Sequence, residues 1–160
     1  MNKAVFLDRD GVINENRSDY VKSTAEFKFL PGTAEAIKLL NEGGFLVVII
    51  TNQSAVNRGL LSGEELEKIH DFMLTELSRY DCRIDAIYYC PHRPDENCSC
   101  RKPQPGLLMK AIADLSVEPK FSWLIGDSDA DEVAARKAGI NSVRIRTNGN
   151  LMDAVKSILG

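Results

Sequence analysis

Five short apolar runs, each followed by a stretch of helical period, set the strongest limit on how this chain can fold. The runs Ala4–Leu7, Phe45–Ile50, Ile84–Tyr89, Phe121–Ile125 and Ser142–Ile145 favour β-branched and aromatic residues and do not alternate strictly between apolar and polar. That pattern belongs to strands buried on both faces, as in a parallel sheet covered by helices. The stretches Thr33–Asn41, Gly63–Arg79, Gly106–Leu115, Asp129–Ala138 and Leu151–Leu159 place apolar residues at spacings of three and four, the period of helices. Their alternation predicts βαβ units in a doubly wound α/β sheet. Local chemistry agrees: Ser62-Gly63-Glu64-Glu65 fits a capping box, and Gly43-Gly44 and Gly139 stand where helices should stop.

Neither an internal repeat nor a Gly/Ser linker interrupts the 160 residues, so one domain spanning 1–160 is expected. The formal net charge is −3 with no long block of one sign, which argues against a nucleic-acid footprint or a basic membrane-binding face. No run approaches the roughly 18 apolar residues of a membrane span. Met1-Asn2-Lys3 leads into an apolar run too short for a signal peptide, so a cytoplasmic monomer acting on a small molecule is expected. An anionic substrate would need cations placed locally.

Two stretches without period, Asn14–Leu30 and Pro91–Pro105, follow strands and so belong at the carboxyl edge of the sheet, where such folds bind ligands. Strand one runs into Asp8-Arg9-Asp10-Gly11, two carboxylates able to share a hard cation such as Mg²⁺. A carboxylate there can attack phosphorus and its neighbour can move the protons, although the same letters also occur in tight turns and calcium loops. Strand two ends in Thr51-Asn52-Gln53-Ser54, whose hydroxyls, amides and backbone N–H groups suit a phosphate or an ordinary turn. Arg101-Lys102-Pro103 offers two cations, which are either solvated or set against a phosphoryl group. Strand four ends in Gly126-Asp127-Ser128-Asp129-Ala130-Asp131, where Asp127 can complete a metal site and Asp129 or Asp131 can cap the next helix or assist.

Cys90, His92, Cys98 and Cys100 lie within eleven positions and make a Cys₃His set suited to tetrahedral zinc in a structural role. A disulfide or free thiols are the alternative. Cys82 reads as a lone buried thiol, and His70, mid-helix, as a structural or surface histidine.

Taken together, Asp8-Arg9-Asp10-Gly11, Thr51-Asn52-Gln53-Ser54, Arg101-Lys102-Pro103 and Gly126-Asp127 resemble the four motifs of the haloacid dehalogenase superfamily of phosphatases. The resemblance spans nearly the whole chain. It implies a Rossmann-like sheet without a large cap domain, Asp8 as nucleophile and Asp10 as general acid/base. It also implies Mg²⁺ on Asp8, the Asp10 carbonyl and Asp127, with Thr51, Asn52 and Lys102 around the transferred phosphate. The strings FLDRDGVIN, TNQSAVNRG, YYCPHRP and CSCRKPQPG are similar to a branch with a zinc loop, implying zinc on Cys90, His92, Cys98 and Cys100. That branch acts on phosphorylated sugars and related metabolites, with heptose 1,7-bisphosphate the first expectation and histidinol phosphate the alternative. The remaining substrate contacts implied are Arg9, Asn16, Arg17, Tyr20, Gln53, Ser54 and Arg101. The sequence departs from the superfamily at Ser128, where a lysine is common.

Overall fold

The computed structural model describes residues 1–160. Five parallel strands, β1 (Ala4–Leu7), β2 (Leu46–Asn52), β3 (Ala86–Cys90), β4 (Trp123–Gly126) and β5 (Asn141–Arg144), form one sheet in the order β3-β2-β1-β4-β5. The five helices are α1 (Thr33–Glu42), α2 (Gly63–Ser78), α3 (Gly106–Asp114), α4 (Asp129–Ala138) and α5 (Leu151–Leu159). None of them is long and apolar enough to cross a membrane.

Strand pleating divides the core in two. Val5, Leu7, Val47 and Ile49 point to the face covered by α1, α2 and α5, where they meet Ile37, Leu40, Ile69, Met73 and Val155. Ala4, Phe6, Val48 and Ile50 point to the other face and pack on Leu107, Leu108 and Ala111 of α3 and on Ala134 and Ala135 of α4. Successive residues of β1 and β2 are thus buried on opposite sides, which is why these runs carry no polar alternation.

Several boundaries differ from the sequence expectation for local reasons. β2 begins at Leu46 but runs through Thr51 to Asn52, because it stays paired with β3 as far as Asn52 opposite Cys90. β3 starts at Ala86, two residues late, where the Asp85 side chain accepts from the Val47 N–H at 2.8 Å. β4 starts at Trp123, since Pro119–Phe121 forms a 3₁₀ turn with proline in its first turn. The Ser62–Glu65 capping box is present in both directions, and Gly139 caps α4 with φ 76°.

β1 sits at the middle of the sheet, with β2 on one side and β4 on the other. The crossovers leaving β1 and β4 therefore diverge, and their carboxyl ends, Leu7-Asp8 and Gly126-Asp127, flank the opening this topology creates.

Candidate active site

At that opening lies a cleft of about 250 Å³. Asp8, Asp10, Lys102 and Asp127 line it below; Asn16, Arg17 and Tyr20 come from the loop after β1, and Asn52, Ser54 and Arg58 from the end of β2 and the loop beyond. Arg101 enters from the cysteine-rich loop and Ser128 from the start of α4. Another cavity of about 290 Å³, between Phe29–Glu35 and Glu76–Tyr80, offers Glu35 and Glu76 but no cation, which ill suits an anionic ligand.

Lys102 is the hub of the cleft. It is 4% exposed, and its Nζ lies 3.2 Å from Asp8 Oδ1 and 2.6 Å from Asp131 Oδ1 while donating to the Ile50 carbonyl at 3.1 Å. Burial alone would favour the neutral amine, but Asp8 and Asp131 outweigh it and raise the lysine above its ordinary pKa. Asn52 fixes the backbone of this lysine, donating to its carbonyl at 3.2 Å and accepting from its N–H at 3.1 Å. Both ends of the Asn52 amide are thus engaged with the Lys102 backbone.

Asp131 was expected only as a helix cap or an assistant, and it is 2% exposed. Its second oxygen, Oδ2, accepts from the Asp127 N–H at 3.1 Å, the Ser128 N–H at 3.2 Å and the Ser128 hydroxyl at 2.9 Å. Ser128 is the N-cap of α4; Asp129, also expected as a cap or assistant, is the first helical residue and pairs with Arg144. Gly126 makes room for this arrangement, because a Cβ there would sit 2.3 Å from Asp131 Cγ. Gly11, at φ +88°, similarly leaves space for Asp127, whose Oδ2 would be 2.3 Å from a Cβ.

Asp8 is crowded by negative charge. Burial raises its pKa, Lys102 lowers it, and Asp131, Asp10 and Asp127 raise it again, for a net rise from 3.8 to about 7. Ligand oxygens of Asp8, Asp127 and Asp131 lie within 4.8 Å of one another. Asp131 is already engaged by Lys102 and the start of α4, so a divalent cation fits between Asp8 and Asp127, where it would relieve the repulsion that raises the Asp8 pKa. Thr147, from the loop after β5, holds Asp127 Oδ2 at 2.8 Å.

Asp10 looks away from that cluster. Its Oδ1 accepts from Arg9 Nη2 at 2.9 Å and Asn14 Nδ2 at 2.9 Å, and its Oδ2 accepts from Gln53 Nε2 at 2.9 Å. Burial favours its neutral form, but the Arg9 charge and these hydrogen bonds outweigh burial and hold it ionised below its ordinary pKa. The Asp10 backbone carbonyl takes no part in this carboxylate network.

Three expected substrate contacts, Arg9, Gln53 and Thr51, are corrected by burial. Arg9 has no exposed surface and its guanidinium is turned toward Asp10 and His70. Gln53, 2% exposed, joins Asp10 to the Thr51 hydroxyl, and neither it nor Thr51 lines the cleft. Conversely, Arg58, not singled out from its loop as a substrate contact, lines the cleft, donates to Ser54 Oγ at 3.3 Å and lies 6.0 Å over the Tyr20 ring. Nothing in the local sequence separates it from any surface arginine. Arg17 is drawn to Asp19 and Glu26, which leaves Arg58 and Arg101 as the cleft guanidiniums free of carboxylate partners.

Cys90, His92, Cys98 and Cys100 come together as expected, with their ligand atoms within 4.8 Å of one another. Cys90 Sγ lies 2.8 Å from Cys100 Sγ, too long for a disulfide, and 3.3 Å from His92 Nδ1, so four side chains of metal-ligating type converge on one point. Burial opposes ionisation of Cys98, but the Arg101 N–H and the neighbouring thiols outweigh it and bring the thiol to about 7. Arg101 is bound to this cluster directly: its N–H donates to Cys98 Sγ at 3.3 Å and its Nη1 to the His92 carbonyl at 3.4 Å.

The site sets a strand-end carboxylate against a buried lysine, with a second carboxylate across the switch point, and the HAD-hydrolase-like family model matches residues 99–157. The D-glycero-beta-D-manno-heptose-1,7-bisphosphate 7-phosphatase of Haemophilus ducreyi is 40% identical over 91% of this chain and 84% of its own length. The enzyme of the same name from Helicobacter pylori is 36% identical over 94% and 86%. A crystal structure of the D,D-heptose 1,7-bisphosphate phosphatase of B. bronchiseptica, complexed with magnesium and phosphate, superposes with a TM-score of 0.87 at 37% identity, covering 97% of this chain and 86% of that one. The chain belongs to the haloacid dehalogenase superfamily and, within it, to the family of heptose bisphosphate phosphatases, which are phosphoric monoester hydrolases.

Proposed function

We propose that this chain hydrolyses the C7 phosphate of D-glycero-D-manno-heptose 1,7-bisphosphate, working as a single catalytic domain, a monomer in the cytoplasm. The observation that carries this reading is Asp8 at the end of β1, 3.2 Å from a buried Lys102, in a chain at 40% identity to an enzyme of that name. The cysteine cluster suits a reducing compartment, where thiols persist as ligands.

An Asp8 oxygen attacks phosphorus, and the bond to the sugar O7 breaks as Asp10, ionised in the resting cleft, hands on to that oxygen the proton that Asp8 gives up. Water then attacks the aspartyl-phosphate, giving its proton to Asp10 and freeing phosphate and Asp8. Lys102 offsets the charge of the phosphoryl group in transit, and Asp131 holds Lys102 in place. Magnesium, held by Asp8, Asp127 and the Asp10 carbonyl, would lower the repulsion between carboxylate and phosphate. Zinc on Cys90, His92, Cys98 and Cys100 would be structural, fixing Arg101 and Lys102 at the cleft. The C1 phosphate faces Arg58 and Arg101, which stand in for the cation absent at Ser128.

The experiment is phosphate release, with and without Mg²⁺, from both anomers of heptose 1,7-bisphosphate, from histidinol phosphate and from common sugar monophosphates. Mg²⁺-dependent release with preference for one heptose bisphosphate anomer is expected. Equal turnover of the whole panel, or preference for histidinol phosphate, contradicts the reading.

A further inference from the structure

Arg9 heads the largest side chains with no exposed surface, and the reaction just described gives it no task. A buried guanidinium stays charged and needs every donor met. Nε and Nη2 reach Asp10 Oδ1 at 3.2 and 2.9 Å, and the guanidinium carbon lies 5.7 Å over the Phe27 ring. The remaining contact is Nη1 to His70 Nε2, at 3.0 Å. Since arginine only donates, Nε2 of His70 must accept, which fixes the neutral imidazole with its proton on Nδ1.

His70 is well placed to be rigid. It lies in the middle of α2, among Leu66, Ile69, Met73 and Leu77, the face that this helix buries in the core. The Tyr89 ring meets it edge-on with centroids 6.3 Å apart. The imidazole therefore moves with the core, Arg9 is aimed by the imidazole, and Asp10 is aimed by Arg9.

We propose that His70 and Arg9 form a buried positioning pair for Asp10, through which helix α2, a helix that lends no residue to the cleft, sets the direction of the acid/base carboxylate. The inference rests on the proposed role of Asp10 and extends it. Neither residue touches substrate, so their loss should act on proton transfer and leave binding intact.

The test uses the full-length chain with Mg²⁺ and compares His70→Leu with His70→Gln, whose amide oxygen can still accept from Arg9. With heptose bisphosphate, His70→Leu should lower kcat roughly 10- to 100-fold with KM nearly unchanged, the scale of a displaced proton-transfer group. His70→Gln should recover most of it. With p-nitrophenyl phosphate, whose leaving group needs no proton, His70→Leu should release one equivalent of nitrophenolate rapidly and then turn over slowly, because water still needs Asp10. Unchanged kcat in His70→Leu overturns the proposal. So does an equal loss in both variants with a burst that shrinks in proportion to the folded fraction seen by circular dichroism, the mark of a purely structural residue. Absence of turnover by the unsubstituted chain overturns the functional reading as well, and so is told apart from failure of the pair alone.

Discussion

The ammonium of Lys102 lies 2.6 Å from Asp131 Oδ1, and both side chains are almost wholly buried, at 4% and 2% exposure. Such a pair adds little net stability but is costly to break from one side. Asp131→Asn should therefore lower unfolding free energy by about 3 kcal/mol and, by letting Lys102 swing toward Asp8, cut kcat on the order of a hundredfold. Denaturant unfolding and steady-state kinetics on the same preparation check both. Wild-type kcat in a destabilised variant would mean that Asp131 holds the fold but not the lysine.

Asp8 is only partly ionised at neutral pH in the metal-free protein, because burial and three neighbouring carboxylates outweigh Lys102 and raise its pKa from 3.8 to about 7. Between those values the folded state binds the extra proton, so Asp8 costs stability progressively as pH rises toward 7. A metal must displace that proton. Apparent Mg²⁺ affinity should thus fall about tenfold per pH unit below 7 and level off above it, a dependence readable by calorimetric titration. Affinity independent of pH across that window would contradict the crowding of Asp8.

Arg58 and Arg101 are the cleft guanidiniums with no carboxylate at hand. Arg58→Ala should raise KM for the bisphosphate roughly tenfold or more, the worth of one charge-assisted hydrogen bond. A sugar phosphate lacking the C1 phosphate should be unaffected. Equal losses on both substrates would place Arg58 in the general architecture of the loop.

Removing one donor from the cysteine loop should tie metal content to the cleft through Arg101, whose N–H and Nη1 are held by Cys98 and His92. Elemental analysis of the isolated chain should find about one zinc per molecule. Cys100→Ser should lose it, unfold at lower temperature and show a raised KM, as Arg101 drifts. Full zinc content in the variant would exclude Cys100 as a ligand.

The sheet was legible because parallel strands buried on both faces leave unbroken apolar runs, and Val47–Ile50 needs no tertiary knowledge to be recognised. Asp8 and Asp127 were legible from the strand ends they succeed, and Lys102 and the Cys₃His set from residue types clustered at the end of β3 and in the loop after it. Burial and pairing were not legible. Asp131 was hidden because an acid three residues after Ser128 is explained by capping alone. Arg9 lies beside the acids in sequence and suggests a substrate contact, yet the turn after β1 sends its side chain inward to His70, sixty-one residues away. Arg58 depends on where the loop after β2 comes to rest, which no spacing encodes.

The role given to Asp8 is tested most directly by rapid acid quench of the enzyme with heptose bisphosphate carrying radiolabel in the C7 phosphate. Hydroxylamine-labile label should appear on the peptide containing Asp8 within the first turnover and be absent in Asp8→Asn. Phosphate release at full rate with no label on that peptide, or turnover retained in Asp8→Asn, would show that the phosphoryl group never passes through Asp8.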